Sequence, residues 1–169
     1  FINKLFPNNP ISRNYYLFDK PLNSIREADA VPGSAFMVRR DIFNEVGKFA
    51  REYGQLVRVE VHGNHTQELP NMKAIFDHVT EPNVKMCWNC NDQDLLPPGL
   101  EANFNSVKRW FGDTVHIREL NDGNYPYQQL FDLFTGIKYK GWILLEARTE
   151  PVDRIAAMKE QLEIFMEMT

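Results

Sequence analysis

Four short apolar stretches begin at Val57, Val84, Thr114 and Trp142, and each is followed by a segment with helical spacing. Their starts recur at intervals of roughly 28 residues, the length of one strand–helix unit. Strands are predicted over 57–61, 84–88, 114–117 and 142–145. Helices are predicted over 69–79, 100–111, 127–134 and 152–168, the first carried by Met72, Ile75, Phe76 and Val79. Regular alternation of this kind requires a parallel sheet joined by crossover helices. Four units amount to half of a (β/α)8 barrel or to a small open sheet. A complete barrel needs about 250 residues, and this chain has 169.

Residues 1–49 are less regular. Pro7, Asn8, Asn9 and Pro10 read as turn and loop, and 35–38 as one strand after Pro32-Gly33. Asp41 is expected to cap a helix over 42–53 that Gly54 ends. Its apolar face would carry Ile42, Phe43, Val46, Phe49, Ala50 and Tyr53, with Gly47 as a weak point inside it. Seven Lys and Arg stand against five Asp and Glu before residue 50, and twelve against eighteen after it. All four His, both Cys and all three Trp fall in the second part. The net charge of −4 argues against a nucleic-acid partner. No apolar run approaches the length of a membrane span. With two cysteines and no secretory leader, a cytoplasmic location is expected.

In parallel α/β folds, functional groups gather at the carboxyl ends of the strands. Each predicted strand ends on a polar residue that suits this: Glu60, Asn89, His116 and Glu146. An unpaired carboxylate in a buried strand is costly, and a divalent cation would remove the cost. The alternatives are pairing with Arg58, Arg118 or Arg148, or exposure to solvent. Cys87-Trp88-Asn89-Cys90 is a C-x-x-C, and His62-Gly63-Asn64-His65 an H-x-x-H. A redox pair or a zinc site of two Cys and two His is therefore conceivable, against a bland reading of Cys87 as a small packed hydrophobe. The sequence contains no Gly-rich phosphate loop, G-x-S-x-G or H-E-x-x-H.

Residues 50–169 resemble the C-terminal half of the sugar phosphate isomerase/epimerase family, the xylose-isomerase-like barrels. The matching residues are Val59-Glu60-Val61-His62-Gly63, Asn83-Val84-Lys85-Met86-Cys87-Trp88-Asn89, Val115-His116-Ile117-Arg118 and Gly141-Trp142-Ile143-Leu144-Leu145-Glu146. The resemblance implies an α/β fold that is a half TIM barrel of four βα units, its strands being the fifth to eighth of a full barrel. It also implies a divalent metal, manganese, magnesium, cobalt or zinc, held by Glu60, Asn89, His116 and Glu146. Asn89 stands where that family carries Asp. Isomerisation or epimerisation of a sugar or sugar phosphate would follow, with Glu60 and Glu146 exchanging the proton. His62 and Arg118 would orient hydroxyl or phosphate oxygens.

Residues 1–49 resemble something else, an internal segment of family 2 glycosyltransferases. The resemblance lies in 29–40 (Asp-Ala-Val-Pro-Gly-Ser-Ala-Phe-Met-Val-Arg-Arg) with Phe43, Val46, Gly47 and Phe49. The acidic catalytic stretch of that family does not follow, so no glycosyl transfer is expected. The chain thus looks like two family fragments, 1–49 and 50–169, joined inside a helix near 47–50. Two alternatives stay open. One is a non-catalytic half barrel that self-associates to cover its exposed strand edges. The other is a metal-dependent endonuclease-like protein.

Overall fold

The computed structural model of the chain describes residues 40–169. They lie within one compact unit, Val38–Thr169. The predicted strand over 35–38, the turn at 7–10 and most of the glycosyltransferase-like motif fall outside the described residues. The elements are α1 (Arg40–Glu52), β1 (Val57–Glu60), α2 (Leu69–Phe76), β2 (Val84–Asn89), α3 (Leu100–Val107), β3 (Phe111–Ile117), α4 (Tyr127–Gly136), β4 (Trp142–Leu145) and α5 (Arg154–Met168). Short 3-10 turns occupy Asp92–Leu95 and Lys108–Trp110.

The four strands form one sheet in the order β1-β2-β3-β4, every pair parallel. This is the α/β arrangement expected of a half barrel, with β1 and β4 as its edges. Side chains alternate across it with period two. Val84, Met86, Trp88, Val115 and Ile117 join the core cluster with Leu69, Met72, Phe76, Phe104, Leu130, Phe131 and Phe134 from the helices. Cys87, Asn89, Thr114 and His116 alternate with them and so face the other side. No helix among the described residues is long and apolar enough to cross a membrane.

Three expectations need correction. Helix α3 ends at Val107 and not at 111, and β3 begins at Phe111 and not at 114. The ring of Phe111 packs on Trp88, Phe104 and Phe134 with centroids 5.1 to 6.0 Å away. Those contacts come from three other elements, which is why helical spacing mistook it for a helix residue. Helix α5 starts at Arg154 after Asp153, whose carboxylate accepts from Ile155 N and Ala156 N at 3.0 and 2.9 Å. Val152 lies outside it, fully exposed.

Helix α1 turns a different face inward from the one expected. It begins by Arg40, with Asp41 inside its first turn, and Gly54 at φ +66° follows its end. Val46, Phe49 and Tyr53 are 46, 62 and 65% exposed. Phe43 packs against the core and Gly47 is buried. A Cβ on Gly47 would collide with Val84 Cγ2 and lie 2.9 Å from Glu81 Cβ. The glycine is therefore the point of closest approach between helix and sheet. Polar bonds complete the docking: Asn83 Nδ2 donates to Gly47 O at 2.8 Å, and Asn44 Oδ1 accepts from Thr80 N at 2.8 Å. Gly47→Ala should gain helix propensity yet lose roughly 1–3 kcal/mol net through overpacking, read as a lower urea midpoint. A midpoint at or above the parent's would show that the helix can shift without cost.

Candidate metal centre

Glu60 ends β1, Asn89 ends β2, His116 is the penultimate residue of β3, and Glu146 directly follows β4. Register aligns them. Glu60 lies opposite Cys87, Asn89 opposite His116, and Ile117 opposite Leu145. Glu146 N donates to Ile117 O at 2.7 Å, which extends the β3–β4 pairing to the site residue itself.

The side chains converge. His116 Nδ1 lies 2.7 Å from Glu60 Oε1 and 3.8 Å from Glu146 Oε2. Asn89 Nδ2 donates to Glu60 Oε1 and to Glu146 Oε2, both at 2.9 Å. Ligand atoms of Glu60, His116 and Glu146 all lie within 4.8 Å of one another. Asn89 is fully buried, whereas the Glu60, His116 and Glu146 side chains are 37, 26 and 47% exposed. The centre is thus closed beneath and open above.

The donor set suits a divalent cation. Two carboxylates and an imidazole offer the hard and borderline ligands that such ions take. Asn89 adds a second indication, because its Oδ1 is buried without a hydrogen-bond partner. The amide presents Nδ2 to the carboxylates, so Asn89 would offer this unpartnered oxygen to a cation by turning its amide over. The arginine alternative is not realised at Glu60. Arg58 instead donates to both carboxylate oxygens of Asp113 at 2.7 Å.

His62 reaches the rim, its Nδ1 3.4 Å from Asn89 Nδ2, and its side is exposed. His65 turns away to Glu68 at 3.6 Å. The two-Cys, two-His zinc site does not form: among the described residues the one candidate ligand group contains no cysteine. Burial pushes the Cys90 thiol up to about 12 and raises that of Cys87. Both therefore remain neutral thiols, Cys90 donating to His116 O and Cys87 accepting from Thr114 Oγ1. Neither is thus poised as the thiolate that a redox pair would use.

Several site residues escaped the sequence reading. Glu119 Oε1 accepts from Arg148 N, Thr149 N and Thr149 Oγ1 at 2.9, 2.7 and 2.6 Å, fixing the loop after Glu146. Partial burial raises the pKa of this carboxyl, but the bonds from Thr149 and from backbone N–H groups prevail and bring it to about 2. Asp94 is fully buried, which pushes its carboxyl up to about 7 despite bonds from Asn91 N and Tyr125 Oη. The Asn91-x-x-Asp94 spacing is a capping-box signal that was present in the sequence.

Neither a protein-family model nor a curated protein sequence matches the chain. A solved structure does. It is the 3-keto-D-glucoside 4-epimerase YcjR from E. coli in its apo form, with a TM-score of 0.64 and 16% identity. The match covers 76% of this chain and 52% of that one, so the chain spans about half the length of the epimerase. At that identity the two share a fold. The match gives no support to the glycosyltransferase-like reading of residues 1–49.

Proposed function

We propose that this chain is a metal-dependent isomerase or epimerase of a sugar or sugar phosphate. One observation carries the reading: Glu60, His116 and Glu146 converge around the buried Asn89 at the carboxyl ends of successive parallel strands. The shared fold with a sugar epimerase supports it. Glu60, Asn89, His116 and Glu146 would hold manganese, magnesium, cobalt or zinc. A divalent cation bound there polarises a carbonyl or hydroxyl oxygen and so acidifies the neighbouring C–H.

The chain's own groups do the rest. One carboxylate of the Glu60/Glu146 pair takes the proton from carbon. The other, carrying a proton, returns one to the same or the opposite face, so the pair exchanges protonation states over the cycle. Asn89 Nδ2, bonded to both, keeps the two carboxylates at a fixed spacing. His62 at the rim, and Arg118 from the loop after β3, would bind hydroxyl or phosphate oxygens.

The test is titration of the metal-stripped chain with manganese by calorimetry, alongside the double variant Glu60→Gln/Glu146→Gln. Ketoses and their phosphates are then incubated in deuterium oxide and followed by NMR. One ion per chain, lost in the double variant, and metal-dependent deuterium at carbon are the expected results. No binding, or binding that ignores both substitutions, overturns the reading.

A second reading draws on the edge strand β4. Trp142 is 72% exposed and Leu144 40% exposed, so a half barrel that associates through its open edges would bury them.

A further inference from the structure

Among the described residues, four of the five buried polar side chains, Asn89, Asn91, Asp94 and Asn103, lie between the end of β2 and the first turns of α3. Polar groups persist in a core where they are bonded, so this density marks a built structure. Asn91 is its hub. Its side chain Nδ2 donates to Val61 O at 2.8 Å and to Asn89 O at 3.0 Å. Its Oδ1 accepts from Arg118 Nη2 at 3.4 Å. One amide therefore touches the loop after β1, the last residue of β2 and the loop after β3.

Asn91 is itself clamped. Asp94 Oδ2 accepts from Asn91 N at 2.9 Å and from Tyr125 Oη at 2.8 Å. Asn103 Nδ2 donates to Asp94 O at 2.8 Å and anchors the turn to α3. A polar residue needed only to fill space would not present a donor to the backbone of Asn89 and an acceptor to Arg118 at once.

We propose that Asn91, held by Asp94, is the positioning residue of the centre: it sets the backbone that carries Asn89 and aims the Arg118 guanidinium at the bound sugar oxygens. What is positioned rests on the metal-dependent reading above; the positioning itself does not.

The full chain and its variants Asn91→Ala, Asn91→Asp and Asp94→Asn are titrated with manganese. Nitrogen-edited NMR without metal records the Asn89 side-chain amide and the Arg118 guanidinium. Asn91→Ala is expected to weaken manganese binding about 10- to 100-fold, the usual effect of losing an outer-shell partner, and to move both signals. Asn91→Asp keeps an acceptor for Arg118 but turns an oxygen towards two carbonyls, so it should move Asn89 and leave Arg118 in place. Asp94→Asn retains an acceptor for Asn91 N and Tyr125 Oη and should hold affinity within about threefold. Parental affinity with unmoved signals in Asn91→Ala overturns the proposal, and a loss in Asp94→Asn equal to that in Asn91→Ala overturns hydrogen-bond acceptance as the way Asp94 holds Asn91. If Asn91→Ala does not fold, an unmoved Asn89 signal in Asn91→Asp overturns it instead. A parent chain that takes up no manganese defeats the metal reading alone, and the spectra then decide the positioning by the same criterion.

Discussion

Asn89→Asp should destabilise the metal-free chain by about 3–5 kcal/mol and at the same time tighten manganese binding by at least about tenfold. Both effects have one cause. Asn89 is fully buried and donates a hydrogen bond to each of two carboxylates at 2.9 Å. An aspartate there withdraws the donor and places a third negative charge against Glu60 and Glu146. Even at an effective dielectric constant of about 20, like charges at such distances repel by several kcal/mol. A divalent cation reverses the sign, because it turns three mutually repelling carboxylates into three ligands. The pH dependence follows. A raised carboxyl pKa in the folded variant means that protonation relieves the repulsion, so metal-free Asn89→Asp should regain stability as pH falls and lose it as pH rises. Urea unfolding in chelator and in manganese, at pH 5 and pH 8, checks all of this. A variant as stable as the parent in chelator at pH 8 would show that Asn89 does not bridge the carboxylates.

Trp88→Ala should cost about 3–5 kcal/mol, a large share of the 5–15 kcal/mol that holds an ordinary domain together. Trp88 is fully buried on the helix side of β2, and its ring meets Phe104 and Phe111 edge-on at 5.6 and 5.7 Å. Removing the indole takes from Phe104 and Phe111 the ring that both of them pack against, and leaves a cavity beside the Phe104–Phe134 contact at 5.3 Å. Trp88→Phe keeps an aromatic anchor and should cost about 1–2 kcal/mol. Denaturant midpoints for the two variants give the comparison. Equal losses would mean that the indole's extra volume does no packing, which the contacts above exclude.

The elements most legible in the sequence were those whose apolar pattern is set locally. β4 has the predicted bounds, β1 and β2 differ by one residue, and α2, α3 and α4 start where the spacing placed them. Apart from the start of α5, which the local Asp153 cap sets, the failures share a different cause. Phe111 belongs to a strand because of rings on β2, α3 and α4, and Gly47 faces inward because Val84 and Glu81 leave no room for a side chain. Such facts are non-local, and no window of adjacent residues contains them. The site divides in the same way. Glu60, Asn89, His116 and Glu146 were legible because each lies at or next to the carboxyl end of a strand. Glu119 and Tyr125 were not, because they act on Thr149 and Asp94, some thirty positions away in the chain.

The convergence of Glu60 with Glu146 also says something about the shape of the sheet. β1 and β4 are separated by three strand spacings, about 14 Å in a flat sheet. Yet both carboxylates bond to one nitrogen on β2. Two glutamate side chains cannot span that gap across a plane, so the sheet must curl towards the face that carries them. The centre is thus a product of curvature as much as of residue identity. Wedging or emptying the aromatic layer beneath β2 and β3 would flatten the arc and draw the ligands apart without touching any of them, which makes the packing of the far side a determinant of affinity at the near one.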